Sequence, residues 1–326
     1  MTSCLILAAG NGTRMKTEYP KVLAEVLSAP MLSWVLESVM ECGIQKKCVV
    51  TGYENDKVEN FLKENSYECD FAFQSERKGT AHAVMAARKF LSELSGDILI
   101  IGGDSPFIDS ITIMAAYDQH KKDHNSATII SANLENPFGY GRIIRNSNGV
   151  QSIVEEREAN DSQKNIKEVN SGAYWFNVND LLKYIGTINV SSSGEIYLTS
   201  IISLFIEKKL NVGAFCASDS TIALGANTPE ELENLNNIAK DKFIKSLISK
   251  GVNIPDYNNV TISKNVEIGE GTTIFSHVVI NACTKIGKNC EIGPGITLSG
   301  ENVPDNTRLI CMDQQNYKSK EVTYAT

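Results

Sequence analysis

Residues 4–15 read CLILAAGNGTRM, an apolar run broken by two glycines, and Pro20-Lys21 follows shortly behind. Cys4–Ala8 has the length and composition of a buried strand. Glycine straight after a strand lets the backbone turn sharply and approach a ligand closely. Two familiar phosphate loops fail on position. The dinucleotide fingerprint G-x-G-x-x-G needs glycine where Met15 stands, and a Walker loop needs Gly-Lys-Ser/Thr after four intervening residues. What remains is a turn at Gly10 and Gly12 followed by Arg14, Lys16 and Lys21. Backbone amides plus cations suit a polyphosphate. Standing alone, the loop is better explained as a glycine turn with solvated basic residues.

The next 200 residues give it company. Leu32, Val35, Leu36, Val39 and Met40 follow the spacing of a one-faced helix, with Gly43 placed to end it. CVVTGY (48–53) reads as a strand, DKVENFLKEN (56–65) as a helix and CDFAF (69–73) as a strand. GTAHAVMAARKFLSEL (79–94) reads as one helix and DILIIGGD (97–104) as a strand. Strands and helices alternating in this way, with near-continuous apolar strands, predict a parallel sheet covered on both faces. A strand SATIISANL (126–134) and a hairpin turning at Asn148-Gly149 come next, then VNSGAYWFN (169–177). Helical patterns lie near 178–186 and 196–209, a strand near 211–217, and a long amphipathic helix begins at Pro229.

Then the pattern changes. Ile262, Ile268, Ile274, Ile280, Ile286, Ile292 and Leu298 stand six apart without a miss, with mostly small or apolar residues four places after each. A strict period of six with an aliphatic anchor marks a hexapeptide left-handed parallel β-helix. The anchors predict a little over two coils before Pro304 and a polar tail. The fold class is therefore α/β: a Rossmann-like domain with a mainly parallel sheet over 1–229, a linker helix over 230–251, and a short left-handed β-helix with its tail over 252–326.

Composition narrows the classes. At 326 residues and 42% hydrophobic, the chain can bury a sizeable core in two domains. No apolar run is long enough for a membrane span, and the N-terminus lacks a basic region followed by a hydrophobic segment, so a cytoplasmic protein without membrane contact is expected. A net charge of −8 supplies no global field for nucleic acid, and any anion site must be locally basic. Eight cysteines without C-x-x-C or zinc spacing read as free thiols.

In open α/β sheets, ligands bind beyond the carboxyl ends of the strands. The glycine loop, QSERKGTAH (74–82) and GGDSP (102–106) all fall there. Asp104 suits a metal-bound phosphate and is equally a turn residue before proline. Gln74 can read a base edge, with Gly79 and Thr80 offering amides and a hydroxyl; GTAH is equally a helix start capped by threonine.

LAAGNGTRM…PK, Q-x4-GTAHA, GGDSP, GYGRI, IVEE, VNSG and a late GAN occur in the order seen in bacterial UDP-N-acetylglucosamine pyrophosphorylases, the N-acetylglucosamine-1-phosphate uridyltransferases, which also append a left-handed β-helix. The chain resembles that family over nearly its whole length. The first motif is common to many sugar nucleotidyltransferases; the later ones with the hexapeptide tail are narrower. The resemblance implies that the backbone of Leu7, Ala8, Ala9 and Gly10 cups UTP, with Arg14 and Lys21 as catalytic cations on its phosphates. It implies Gln74, Gly79 and Thr80 on the uracil, and Gly139, Glu155 and Asn170 on the amino sugar. Asp104 and Asn227 are implied as ligands of Mg²⁺, with Asn227 also in the substrate site.

Two departures bear on the sugar: Gly102 stands where relatives often carry an aromatic residue, and Ser200 where they often carry Asp, in a loop with Glu195, Tyr197 and Thr199. The reaction so implied joins UTP and N-acetylglucosamine 1-phosphate and releases pyrophosphate. The alternatives are a nucleotidyltransferase for another base or sugar 1-phosphate, a hexapeptide-repeat acyltransferase, and a catalytically silent regulatory relative. His82, in the GTAHA helix start, reads as structural or as a support behind the residues that touch substrate. With the hexapeptide register ending at Leu298, the expectation is one activity, a capped β-helix and, by analogy, a homotrimer through it.

Overall fold

Strands whose successive side chains point to opposite faces, most of them linked through helices, build a sheet with two buried faces, and this is what forms. The computed structural model describes residues 2–10, 12, 15, 19–191, 194–310 and 323–324. It contains two compact units, Met1–Ala24 with Pro30–Glu231 and Glu25–Ala29 with Leu232–Thr326.

The first unit opens with β1 (Thr2–Leu7) and resumes with α1 (Met31–Glu41), after the short strands β2 (Glu25–Val26) and β3 (Ala29–Pro30), whose residues 25–29 belong to the second unit. Then come β4 (Lys46–Thr51), α2 (Asn55–Glu64), β5 (Asp70–Phe73), α3 (Thr80–Ala86), α4 (Arg88–Ser92), β6 (Asp97–Gly102) and α5 (Ser110–Lys122). The second half holds β7 (Ala127–Asn133), β8 (Arg142–Asn146), β9 (Gly149–Val154), α6 (Asp161–Lys164), β10 (Glu168–Asn177), α7 (Val178–Tyr184), α8 (Ser200–Glu207) and β11 (Val212–Ala217). The sheet order is β11-β7-β10-β6-β1-β4-β5, with the β8–β9 hairpin joined to β10. β1 pairs in parallel with β4 and β6, while β10 runs antiparallel between β6 and β7. Leu5, Cys48, Ile98 and Ile100 enter one core and Cys4, Ile6, Val49, Leu99 and Ile101 the other, so the strand alternation fills both faces.

Several expectations are corrected. The hairpin turns at Ser147-Asn148, because Asn146 pairs with Gly149 and the glycine takes the positive φ of 108° at the strand start. GTAHAVMAARKFLSEL is two helices. Ala87 donates back to Val84, a three-residue step that tightens the turn and separates α3 from α4. Residues 196–199 are not helical; α8 begins at Ser200. Met40 is 49% exposed and lies off the buried face of α1. CDFAF forms the sheet edge, with Phe73 57% exposed, so its apolar character does not signal burial.

In the second unit, α9 (Pro229–Ser249) contributes Ile244 and Leu247 to the core of a left-handed parallel β-helix. Its coils are β12 (Thr261–Ile262), β13 (Glu267–Ile268) and β14 (Thr273–Ile274); β15 (Val279–Asn281), β16 (Lys285–Ile286) and β17 (Glu291–Ile292); and β18 (Thr297–Ser299), β19 (Asn302–Val303) and β20 (Thr307–Leu309). All seven aliphatic anchors are buried. Asn265, Gly271, His277, Cys283, Asn289 and Gly295 recur six apart with positive φ, as each corner needs a left-handed residue.

The expected end at Leu298 is wrong. The register slips by one residue, so that Val303 rather than Pro304 pairs with Ile286, and a third coil closes. The slip is visible at the corners too, which move to Gly300 and Asn306. A further strand, β21 (Thr323–Tyr324), pairs antiparallel with β20 and covers one open edge. Leu27 donates to Asn236 at 2.9 Å and accepts from Lys264 at 2.9 Å, tying the 25–29 segment to α9 and the first coil. Among the described residues no helix is long and apolar enough to cross a membrane.

One buried charge in the first unit makes a measurable demand. Asp97 begins β6, 4% exposed, with Lys121 Nζ at 2.8 Å, Tyr117 donating at 3.4 Å and His120 Nε2 3.5 Å away. Burial raises its pKa, but the contacts to His120 and Lys121 outweigh that and carry it from 3.8 down to about 2. A depressed carboxylate stabilises the fold above its unfolded pKa and ceases to do so as pH falls through the folded one. Asp97→Asn is therefore expected to lower stability by roughly 2 kcal/mol at neutral pH and to flatten the loss between pH 4 and pH 2. Denaturant unfolding across that range checks it; parallel acid limbs for the two proteins would contradict it.

Candidate active site

The site is assembled from strand ends. β1, β4, β5 and β6 run parallel, so the chain leaves each at the same edge of the sheet. Behind β1, Leu7 and Ala8 remain committed to the sheet: Leu7 accepts from Gly103 at 2.9 Å and Ala8 donates to Val50 at 2.9 Å. Ala9 is buried and Gly10 exposed, with open space where a Cβ would stand. Of the four residues expected to cup a nucleotide, Ala9 and Gly10 are thus the ones that leave the sheet. Gly12 has φ of 59° and passes so close to Lys21 that a Cβ would lie 2.8 Å from the Lys21 Cβ. Only glycine meets both demands. Arg14, expected on the phosphates, lies outside the described residues.

Lys21 starts a short 3-10 turn after Pro20, and its ammonium joins two distant segments. It forms an ion pair with Asp104 and donates to Asn227 Oδ1 at 2.7 Å. Asp104 follows Gly102-Gly103 at the end of β6. A Cβ on Gly102 would lie 2.8 Å from Asp104 Oδ1, so glycine gives the carboxylate room to lie against the strand end. This is what the departure from an aromatic residue does here. The GAN segment (225–227) comes equally close, a Gly225 Cβ falling 2.9 Å from the Asp104 carbonyl oxygen. A carboxylate and a carboxamide oxygen converging on one cation are hard donors of the type that magnesium takes, and in that respect the residues present fit the ion.

A second group forms where β5 ends. Gln74, buried, has its Nε2 3.2 Å from the Gly79 carbonyl and 3.1 Å from His82 Nδ1. Gly79 holds φ of 106°, and a Cβ there would sit 2.5 Å from the Ile196 carbonyl. Ile196 donates to Lys78 and accepts from Ala81, and Leu198 donates to Thr80 Oγ1 at 2.8 Å. The 196–198 segment thus clasps the loop and takes the Thr80 hydroxyl as an acceptor. Gly79, not Thr80, occupies the cap position of α3, so the capping reading of threonine is overturned.

The third group lies beneath the β8–β9 hairpin. Glu155 accepts from the buried Thr199 at 2.7 Å. Asn170 donates to the Tyr174 hydroxyl at 2.6 Å across the β-bulge in β10, and its Oδ1 accepts from Gly172. Gly139 is exposed with φ of 90°, its N–H donated to Glu156 Oε2 at 3.0 Å, and Glu156 in turn pairs with buried Arg142 at 2.7 Å. Thr199 and Ile196 link this group to the second, and Tyr140, bonded to the Gly225 backbone with Asp104 in electrostatic reach, links it to the first.

Among the residues implied by the resemblance, those that are described fall into these three linked groups. Tyr174, Glu156 and Arg142 are additions. Tyr174 is hidden in a strand of aromatic residues, and only the bulge brings it opposite Asn170. Glu156 and Arg142 sit beside implied residues in IVEE and GYGRI, Arg142 at the start of β8 and Glu156 just after β9, where charge beside apolar residues is the available signal.

A family model described as nucleotidyl transferase matches residues 3–226. The bifunctional protein GlmU of Acetivibrio thermocellus is 38% identical, the match covering 94% of this chain and 66% of that protein. The bifunctional protein GlmU of Thermoanaerobacter pseudethanolicus is 38% identical over 92% of this chain and 65% of its own length, and that of Clostridioides difficile 35% over 94% and 66%. The chain thus spans just under two thirds of these relatives. Among solved structures, a Bacillus anthracis protein described as a glucose-1-phosphate thymidylyltransferase superposes with a TM-score of 0.62 at 21% identity, covering 74% of this chain and 96% of that one, and so shares its fold.

Glu155 gives the site a pH signature. Burial raises its pKa, with Glu158 and Glu195 adding to the rise and the Thr199 hydroxyl opposing it. A raised carboxyl contributes stability that is fully present below its unfolded pKa and lost as pH climbs through the folded one. Glu155→Gln removes that charge, so its melting temperature is expected to exceed the parent's at pH 8 and to match it near pH 4. Melts across that range test this; a variant less stable than the parent at pH 8 would contradict it.

Proposed function

We propose, because this chain belongs to the nucleotidyl transferase family, that it transfers a uridylyl group from UTP to N-acetylglucosamine 1-phosphate, releasing pyrophosphate and forming UDP-N-acetylglucosamine. The observation that carries the reading is the convergence of Asp104 and Asn227 on the Lys21 ammonium at the end of the parallel strands. A sugar phosphate is already an anionic nucleophile at neutral pH, so attack on the α-phosphorus needs no general base. The demand is for alignment and charge neutralisation, and alignment alone supplies roughly 7–11 kcal/mol of such a barrier.

In this reading Ala9 and Gly10 lie along the nucleotide, and Gln74, Gly79 and Thr80 hold the base. Glu155 and Asn170, set by Thr199 and Tyr174, take the amino sugar under the Gly139 turn. Lys21 neutralises the α-phosphate as the new bond forms, and Arg14 is the cation assigned to the leaving pyrophosphate. Asp104 and Asn227 would hold Mg²⁺, which neutralises triphosphate charge when bound. Self-association through the β-helix and residence in the cytoplasm belong to the same reading. The narrow family motifs and the likeness to GlmU proteins support the uridyl and N-acetylglucosamine choices.

Asp104→Ala is expected to cut pyrophosphate release at least about a hundredfold, the scale of losing a preorganised charge contact. The melting temperature should stay within a few degrees, since Asp104 is partly open and packs little. Turnover unchanged in the variant would overturn the assignment, and a collapsed melt would make the residue structural.

A further inference from the structure

Gln74 is the side chain that this reading places on the base, and its amide is not free to turn. Its backbone N–H donates to Thr51 at 2.8 Å, fixing the residue at the mouth of β5, and the side chain is buried. Nε2 lies 3.2 Å from the Gly79 carbonyl oxygen, an atom that can only accept, so the amide nitrogen must face it. The same Nε2 is 3.1 Å from His82 Nδ1. An amide nitrogen has two hydrogens, and here each has a destination. Oε1 is the one remaining group with which Gln74 can meet a ligand. His82 belongs to the first turn of α3, directly after Gly79, and Ala83 bonds back to the Gly79 carbonyl at 3.2 Å, so both partners of Nε2 move as one rigid piece.

We propose that His82 is a positioning residue that sets base choice. With Nδ1 as acceptor and its ring hydrogen on Nε2, His82 holds the second amide hydrogen of Gln74 away from the pocket. Gln74 then offers the base an acceptor only. Uracil carries a hydrogen on N3 and can donate to it; cytosine has a lone pair on N3 and meets it oxygen against lone pair. The proposal rests on Gln74 being the base contact. It differs from a structural role for His82 in one respect: removing the imidazole acceptor leaves the second amide N–H unpartnered and open to a base acceptor such as cytosine N3, so binding of the wrong base should improve.

The test is equilibrium binding of UTP and of CTP to the full chain by calorimetry. The parent is expected to prefer UTP at least about thirtyfold, as a polar site rejects a base that leaves its partners unpaired. In His82→Leu the preference should fall about tenfold, the worth of one hydrogen bond, partly through tighter CTP binding. In His82→Asn, whose amide oxygen can take the place of Nδ1, most of the preference should return. An unchanged preference in a folded His82→Leu protein overturns the proposal. A parent that binds both nucleotides equally overturns the base-site reading instead, and the proposal with it. One measurement needs no variant: with only four histidines in the chain, long-range proton–nitrogen correlation spectra resolve the His82 tautomer. Hydrogen on Nε2 is expected, and hydrogen on Nδ1 overturns the proposal.

Discussion

Burial of β1 on both faces, between β4 and β6, is the constraint from which the site follows. Five of its residues pair with β4 and all six with β6, and Cys4, Leu5 and Ile6 are fully buried. A strand so enclosed cannot shift by one residue without turning every side chain into the wrong core. Its end is therefore fixed, and with it the place where Gly10 and Gly12 turn. Because β4, β5 and β6 run the same way, Gln74 and Asp104 emerge on that edge without any further device.

Two kinds of local chemistry then work on this rigid edge. Around Lys21 the ammonium serves as a counter-cation that draws a carboxylate from β6 and a carboxamide from beyond β11 to one point. Around Glu155 the balance is reversed: a carboxylate is partly buried against the Thr199 hydroxyl, and its charge is costly to the fold. Destabilised polar groups of this kind are found where a ligand supplies the missing partner. The clasp of 196–198 over Gly79 joins the Glu155 region to the Gln74 loop, since the backbone can pass there only if residue 79 has no side chain.

Much of this was legible in the sequence. Strand and helix alternation told of the doubly covered sheet because both periodicities arise from burial, and the hexapeptide anchors told of the β-helix because each coil repeats the same packing. What could not be read depends on a single residue's backbone. The third coil was hidden by one deletion in the repeat, which moves the anchor from the expected position to Val303 and leaves Pro304 looking like a stop. The break at Ala87 has no proline or glycine to announce it. The family motifs and their order were legible, whereas the partners of their side chains were not. Nothing in the spacing of Asn170 and Tyr174 says that a bulge will set them together, and nothing in Gln74 and His82 says which amide atom faces the imidazole.

The central claim is that the three groups form one site for a nucleoside triphosphate and a sugar 1-phosphate, with uracil and N-acetylglucosamine as the chosen pair. Pyrophosphate release measured with each of the four common ribonucleoside triphosphates against a set of sugar 1-phosphates, with magnesium present, tests it most directly. Release is expected to require both substrates and to be fastest for UTP with N-acetylglucosamine 1-phosphate. Faster release with another base or another sugar phosphate, or release that proceeds equally well without any sugar phosphate, would contradict it.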